Sequence, residues 1–111
     1  MCTKVSVAHG DWDRKKRDIA SLLDRARKHP LLGGDSKIYA RLAKLLNQGN
    51  SHDADLMSFE NYCKNGSTAT ADLNKATQDT IDAMAVLIKV VLKQCSVVRD
   101  VMKPVDEPAD P

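Results

Sequence analysis

Aromatic side chains are scarce, with only Trp12, Tyr39, Phe59 and Tyr62 among 111 residues. Aliphatic packing must therefore supply most of any core. The scarcity also removes the several exposed rings on which single-strand-binding surfaces stack bases, so Trp12 reads as core. Cysteines number three, Cys2, Cys63 and Cys95. An odd count without close spacing argues against a secreted disulfide scaffold, and the chain reads as reduced and cytoplasmic. Cys63 and Cys95 fall on apolar helix faces, where a free thiol behaves as a small hydrophobe. No apolar run approaches the ~20 residues that span a bilayer, because Lys89 and Lys93 interrupt the longest candidate, 83–98. The histidines at 9, 29 and 52 form no HxH or HExxH spacing, so neither a metal nor another cofactor is expected. Gly33-Gly34 is not followed by the Lys-Ser/Thr of a phosphate loop and reads as a turn. His52 beside Asp53 and Asp55 could serve acid/base chemistry, but a helix N-cap explains them without a substrate. The expectation is a single small domain that is not an enzyme.

Apolar residues recur at three and four over most of the length, which predicts an all-α domain of four helices. Residues 1–10 read as an N-terminal extension, 11–103 as the helical domain and 104–111 as a disordered acidic tail. The first helix, from about Asp11 to His29 with Asp11 or Asp13 as cap, carries Trp12, Ile19, Leu22, Leu23 and Ala26 on one side. Pro30 and the glycine pair stop it. A second helix, capped by Asp35 or Ser36, presents Ile38, Leu42, Leu45 and Leu46 and ends at Gly49. A third, beginning near 51–53, carries Leu56, Phe59, Tyr62 and Cys63 to the Asn65-Gly66 stop.

The fourth helix is the longest, from a cap at Ser67 or Thr68 to about Met102, roughly 50 Å. Its run 85–92 is β-branched enough for a strand on propensity alone. No Gly or Pro interrupts 67–103, however, and the helical period continues on both sides. A helix so long and so apolar overhangs a small bundle unless a second chain covers it, so a homodimer through Ile81, Met84, Leu87, Ile88, Val91 and Cys95 is expected.

The formal charge of +2 conceals an asymmetry. Residues 14–44 hold ten Lys/Arg against three Asp/Glu, a local +7, whereas 50–111 hold six against ten, a local −4. On the first helix Arg14, Arg17, Arg25 and Lys28 fall within about 80° of arc along roughly 21 Å, opposite the apolar face. Lys37, Arg41 and Lys44 repeat the arrangement on the second, and Lys16 and Arg27 could widen the patch. Acids are nearly absent from both stripes, and Arg offers the planar fork that suits phosphate. Seven such cations could neutralise phosphates without reading bases, and the lack of exposed aromatics favours a duplex.

In the last helix, Asp72-Leu73 opens a segment whose Leu92-Lys93-Gln94-Cys95-Ser96-Val97-Val98 resembles the Leu-rich stretch ending in Ser-Val-Val of the small RNA-silencing suppressors of insect nodaviruses. The resemblance covers about a third of the chain. It implies a viral, all-helical dimer that binds double-stranded RNA by shape and shields it from host silencing in the cytoplasm. That family's RNA-facing helices carry their own basic residues, whereas this helix offers only Lys75, Lys89, Lys93 and Arg99, so no family binding residue is carried over. Two alternatives stand beside this reading. One is a protein-interaction module, possible host partner included, whose basic face only solubilises it. The other is a helix-turn-helix DNA reader with its turn at 30–35, disfavoured because the second helix begins with few Asn/Gln side chains for base edges.

Overall fold

The computed structural model describes residues 1–32, 36–66 and 68–106, the last four as backbone only. The described residues form three helices and no strand: α1 (Cys2–Lys28), α2 (Lys37–Lys64) and α3 (Ala71–Asp106). α2 runs antiparallel to α1, and α3 runs back alongside both, giving an up-down-up bundle of 64 × 25 × 19 Å. At 1.5 Å per residue α3 rises about 54 Å against about 40 Å for α1, so the bundle is long and thin.

The all-α expectation holds, but the helix count is three. α1 begins nine residues earlier than expected, so residues 2–10 are helix and Asp11 and Asp13 lie inside it, not at a cap. Val5 and Ala8 are buried in line with Trp12, which continues the apolar stripe of the first helix upstream. At the other end His29 takes an extended conformation (φ −80°, ψ 136°), as the residue before Pro30 must. Its ring Nδ1 accepts from Leu31 N at 3.1 Å, holding the chain as it leaves the helix. The Gly33-Gly34 turn and the Asp35 cap lie outside the described residues. Ser36 is the N-cap of α2, its hydroxyl accepting from Ile38 N at 3.1 Å. For α3 the cap is Thr70, whose Oγ1 accepts from Leu73 N at 3.1 Å; Ser67 is not described and Thr68 lies too early. α3 also runs past Pro104 to Asp106, and 107–111 lie outside the described residues.

The expected second and third helices are one. Gly49, read as a C-cap, sits inside α2 with its Cα against the Trp12 indole, where any Cβ would fall within the ring. The breaker-like run Gly49-Asn50-Ser51-His52-Asp53 is thus a tertiary contact surface. Gly49 lets α1 and α2 approach closely, and Asn50 Oδ1 accepts from Trp12 Nε1 at 3.1 Å. One turn further on, His9 Nδ1 donates to Asp53 Oδ1 at 2.7 Å. These bonds satisfy polar groups that burial would otherwise penalise by about 1–3 kcal/mol each, and they fix the register of α1 on α2.

The core runs the length of the bundle: Trp12, Ile19 and Leu22 from α1, Leu42, Leu56 and Phe59 from α2, and Met84, Val91, Val98 and Met102 from α3. This placement overturns the expected dimer face. Met84, Leu87, Val91 and Cys95 are covered by α1 and α2 of the same chain, and Ile81 and Ile88 are partly so. Each such aliphatic side chain contributes roughly 1.5–3 kcal/mol by burial, and the chain's own helices are long enough to collect it.

The reading of Cys63 as a free thiol in a chain without disulfides is overturned. Cys2 and Cys63 are joined by a disulfide that ties the first turn of α1 to the last turn of α2, with Cα atoms 6.0 Å apart. The two lie 61 positions apart, so no local spacing announces the pair. Cys95 is free and buried, as expected of a small hydrophobe, and burial raises its thiol above the usual range.

Candidate nucleic-acid interface

All seven cations of the two predicted stripes are exposed. On α1 they are not isolated charges. Asp11 pairs with Arg14, Asp13 with Arg17 at 2.8 Å and with Lys16 at 3.3 Å, and Asp24 with Lys28 and Arg27, both at 3.3 Å. Asp11 and Asp13 stand just upstream of the basic block; once counted with Asp18 and Asp24, four acids face seven cations over residues 11–28. The first stripe is thus of mixed sign along its edge. Its pairs are i,i+3 and i,i+4 contacts on a solvent-exposed face, the kind worth a few tenths of a kcal/mol and readily exchanged for another anion. The Lys16 hydrogen bond, with Arg17 and Lys16 as neighbouring charges, holds the Asp13 carboxyl below its ordinary range despite some loss of hydration.

On α2 the situation differs. Lys37, Arg41 and Lys44 are exposed, and among the described residues no carboxylate lies within ion-pair distance of them. No acid occurs on α2 before Asp53. This short row is the more purely cationic of the two.

The rows do not fuse into one strip. Arg14 and Arg17 line a shallow depression with Lys15, Asp18 and Ile88, so this part of the α1 row borders the seam between α1 and α3. Arg41 and Lys44 lie one turn before Leu45 and Gln48, which face α3 across the groove that also holds His52, Val86 and Val90. The α2 row therefore borders the other seam, and α3 rises between the two. On its outward side α3 exposes Lys89 and Lys93. The expectation of two matching stripes missed these lysines, because their place between the rows depends on how α3 docks. Periodicity alone puts them opposite Val91 and Val98 on the helix, which was readable.

The remaining chemistry-bearing residues do not assemble. His52 faces α3, Asp53 is bonded to His9 on α1, and Asp55 lines a separate cleft with Phe59 and Thr77, so the three are neither a cap nor an acid/base group. Among the described residues no group of three or more His, Cys, Asp or Glu could hold a metal ion. Trp12 is fully enclosed and offers no stacking surface. No described helix is long and apolar enough to cross a membrane. No family model, curated protein or solved structure matches the chain.

Proposed function

We propose that this chain binds double-stranded RNA through the phosphate backbone and shields it, with no base readout and no catalysis. The observation that carries the reading is the arrangement of cations on rigid helices: Arg14 and Arg17 beside one seam, Lys37, Arg41 and Lys44 beside the other, and Lys89 and Lys93 on the ridge between them. A helix with side chains is about 10–12 Å across. A ridge of that width suits the wide, shallow minor groove of an A-form duplex, where 2′-hydroxyls face the ridge and the two bordering strands offer phosphates to the flanking rows. Arg25 and Lys28 extend the α1 row towards the far end of the bundle. The resemblance of the last helix to viral silencing suppressors fits this role and would place it in the cytoplasm of a host cell.

The test is a titration against a 25-base-pair RNA duplex at several salt concentrations, with duplex DNA and single-stranded RNA as competitors. Five to seven phosphate contacts give a slope of log K against log salt of about −4 to −6. The paired reversal R17E/R41E weakens binding and flattens the slope by about 2. Absence of binding at low salt would sink the proposal.

A second reading is favoured by one observation: Val86, Val90 and Val97 are exposed in a row at i, i+4 and i+11 on α3, at 63%, 47% and 40%. Self-association or docking on another protein would use this row instead of the buried Leu87 and Val91. If the row mediates self-association, V90E lowers the mass in sedimentation, whereas under the first reading it leaves the mass unchanged and K89E/K93E weakens duplex binding.

A further inference from the structure

The first turn of α1 lacks the usual supports of a helix N-terminus. Its cap residue, Met1, makes no side-chain capping bond, and no acidic residue occupies the first turn. Lys4 stands there instead, with a charge that opposes the helix dipole, and it makes a long 3.5 Å bond to Gln78 Oε1. Met1, Cys2, Thr3 and Lys4 are all exposed, so Val5 is the first residue held by the core. The structure nonetheless keeps this turn helical: Val5 N donates to Met1 O at 3.0 Å, the Val5 side chain is buried, and the covalent bond from Cys2 to Cys63 ties the turn to α2.

That bond is within reach of solvent. Cys2 is exposed and Cys63 only half-buried, and both line an open cleft of about 220 Å³ with Met1, Phe59, Tyr62 and Asn74. Val5 and Ala8 of α1 and Phe59 of α2 bring the core to this end of the bundle, while the packing around Ile19, Leu42, Val91 and Val98 lies further along it.

We infer that the Cys2–Cys63 disulfide is a thiol-labile clasp, and that its opening by a dithiol reductant releases the first two turns of α1 while the rest of the bundle stays folded. In the step, a reductant thiolate attacks Cys2 Sγ, the S–S bond breaks, and Cys63 leaves as a thiolate that takes up a proton. The second thiolate of the reductant attacks the mixed disulfide, freeing Cys2 as a thiolate that is protonated in turn. The protein gains two electrons and two protons, and the reductant leaves as its own disulfide. The consequence lies on α3. Thr3, Lys4, Val7 and Ala8 form one wall of an apolar groove whose other wall is Ile81, Met84, Ala85 and Ile88. Freeing the α1 wall uncovers that stretch of α3, so a reducing compartment and an oxidising one present different surfaces. The clasp is independent of what the cationic faces bind.

Hydrogen exchange on the full chain, with and without a dithiol, tests the clasp. In the air-oxidised protein, peptide mapping without reductant finds residues 2 and 63 cross-linked. On reduction, amides of residues 5–8, the first in α1 with helical acceptors, exchange about tenfold faster or more, while peptides from 17–28 and 91–102 are unchanged. Cys2→Ser behaves as the reduced protein whether or not reductant is present, and Cys95→Ser leaves the response to reductant intact. Unchanged exchange at 5–8 on reduction would overturn the clasp. So would loss of protection along the whole chain, or free thiols at both positions in the oxidised protein.

Discussion

Replacing Gly49 by alanine sets two physical effects against each other within α2. Helix propensity alone favours alanine over glycine in a helix interior by about 1 kcal/mol, so a solvent-facing Gly49 would make the substitution stabilising. Here the added methyl coincides with the six-membered ring of Trp12. Trp12 cannot step aside cheaply, because it is 0% exposed and its Nε1 is bonded to Asn50. Either the helices separate or the indole leaves its site. Overpacking of a filled core costs about 1–3 kcal/mol, and loss of a buried aromatic about 3–5 kcal/mol, which brackets the penalty near 3–4 kcal/mol. Subtracting the propensity gain leaves G49A destabilised by about 2–3 kcal/mol. For a chain of this size that lowers Tm by roughly 10–20 °C. Thermal and urea unfolding followed by circular dichroism reads it directly, and the cycle with Trp12→Leu isolates the cause. In the W12L background, where the ring is gone, G49A becomes neutral or stabilising. A rise in Tm on G49A alone, or a penalty of the same size in both backgrounds, would refute the idea that Gly49 exists for Trp12.

Val91→Asn places an amide in the centre of the bundle, so it lowers Tm by about 10 °C or more through lost burial and an unsatisfied polar group, with no change in sedimented mass per folded chain. Cys95, enclosed and with its thiol pushed up by burial, stays unlabelled by an aromatic disulfide reagent in native buffer and reacts once in denaturant; rapid native labelling would contradict its place in the core. Asp13 has a folded pKa held below its unfolded value, so the stabilisation it contributes is present above about pH 4 and fades as pH falls through the folded value. Its carboxyl resonance, followed by NMR, titrates at lower pH than that of an unstructured peptide, and Asp13→Asn frees Arg17 and Lys16 and tightens duplex binding at neutral pH.

Much of the interior was legible from periodicity. Ile19, Leu22, Leu23 and Ala26 of α1, Leu42 and Leu45 of α2, and Met84, Leu87, Val91, Val98 and Met102 of α3 are buried as their spacing requires. The period reports which face of a helix is apolar, but it does not report what covers that face. For that reason the seam at Met84–Cys95 reads as buried without naming its cover, and α1 and α2 of the same chain fill the role. The division of α2 failed on a different ground. Glycine followed by Asn-Ser-His-Asp carries the local chemistry of a helix end, and only a tryptophan 37 residues away gives it another use. The disulfide left no local trace at all. At the cationic faces, exposure and helix position were readable from the sequence, but the intrahelical pairs of α1 and the separation of the rows by α3 depend on side-chain geometry and on docking.

The bridge between Cys2 and Cys63 also has a topological meaning. It converts α1, the connection 29–36 and α2 into a closed covalent ring, with α3 hanging outside it as a linear strand. Pulled from its two ends, the oxidised chain yields only the length outside the ring. The 61 bonds of sequence between the cysteines stay hidden, about 200 Å of contour that force alone cannot reach. In such an experiment α3 peels away first and in full, and the α1–α2 ring then turns as one short link. Reduction restores the missing 200 Å, so mechanical length becomes a direct count of how many molecules are closed.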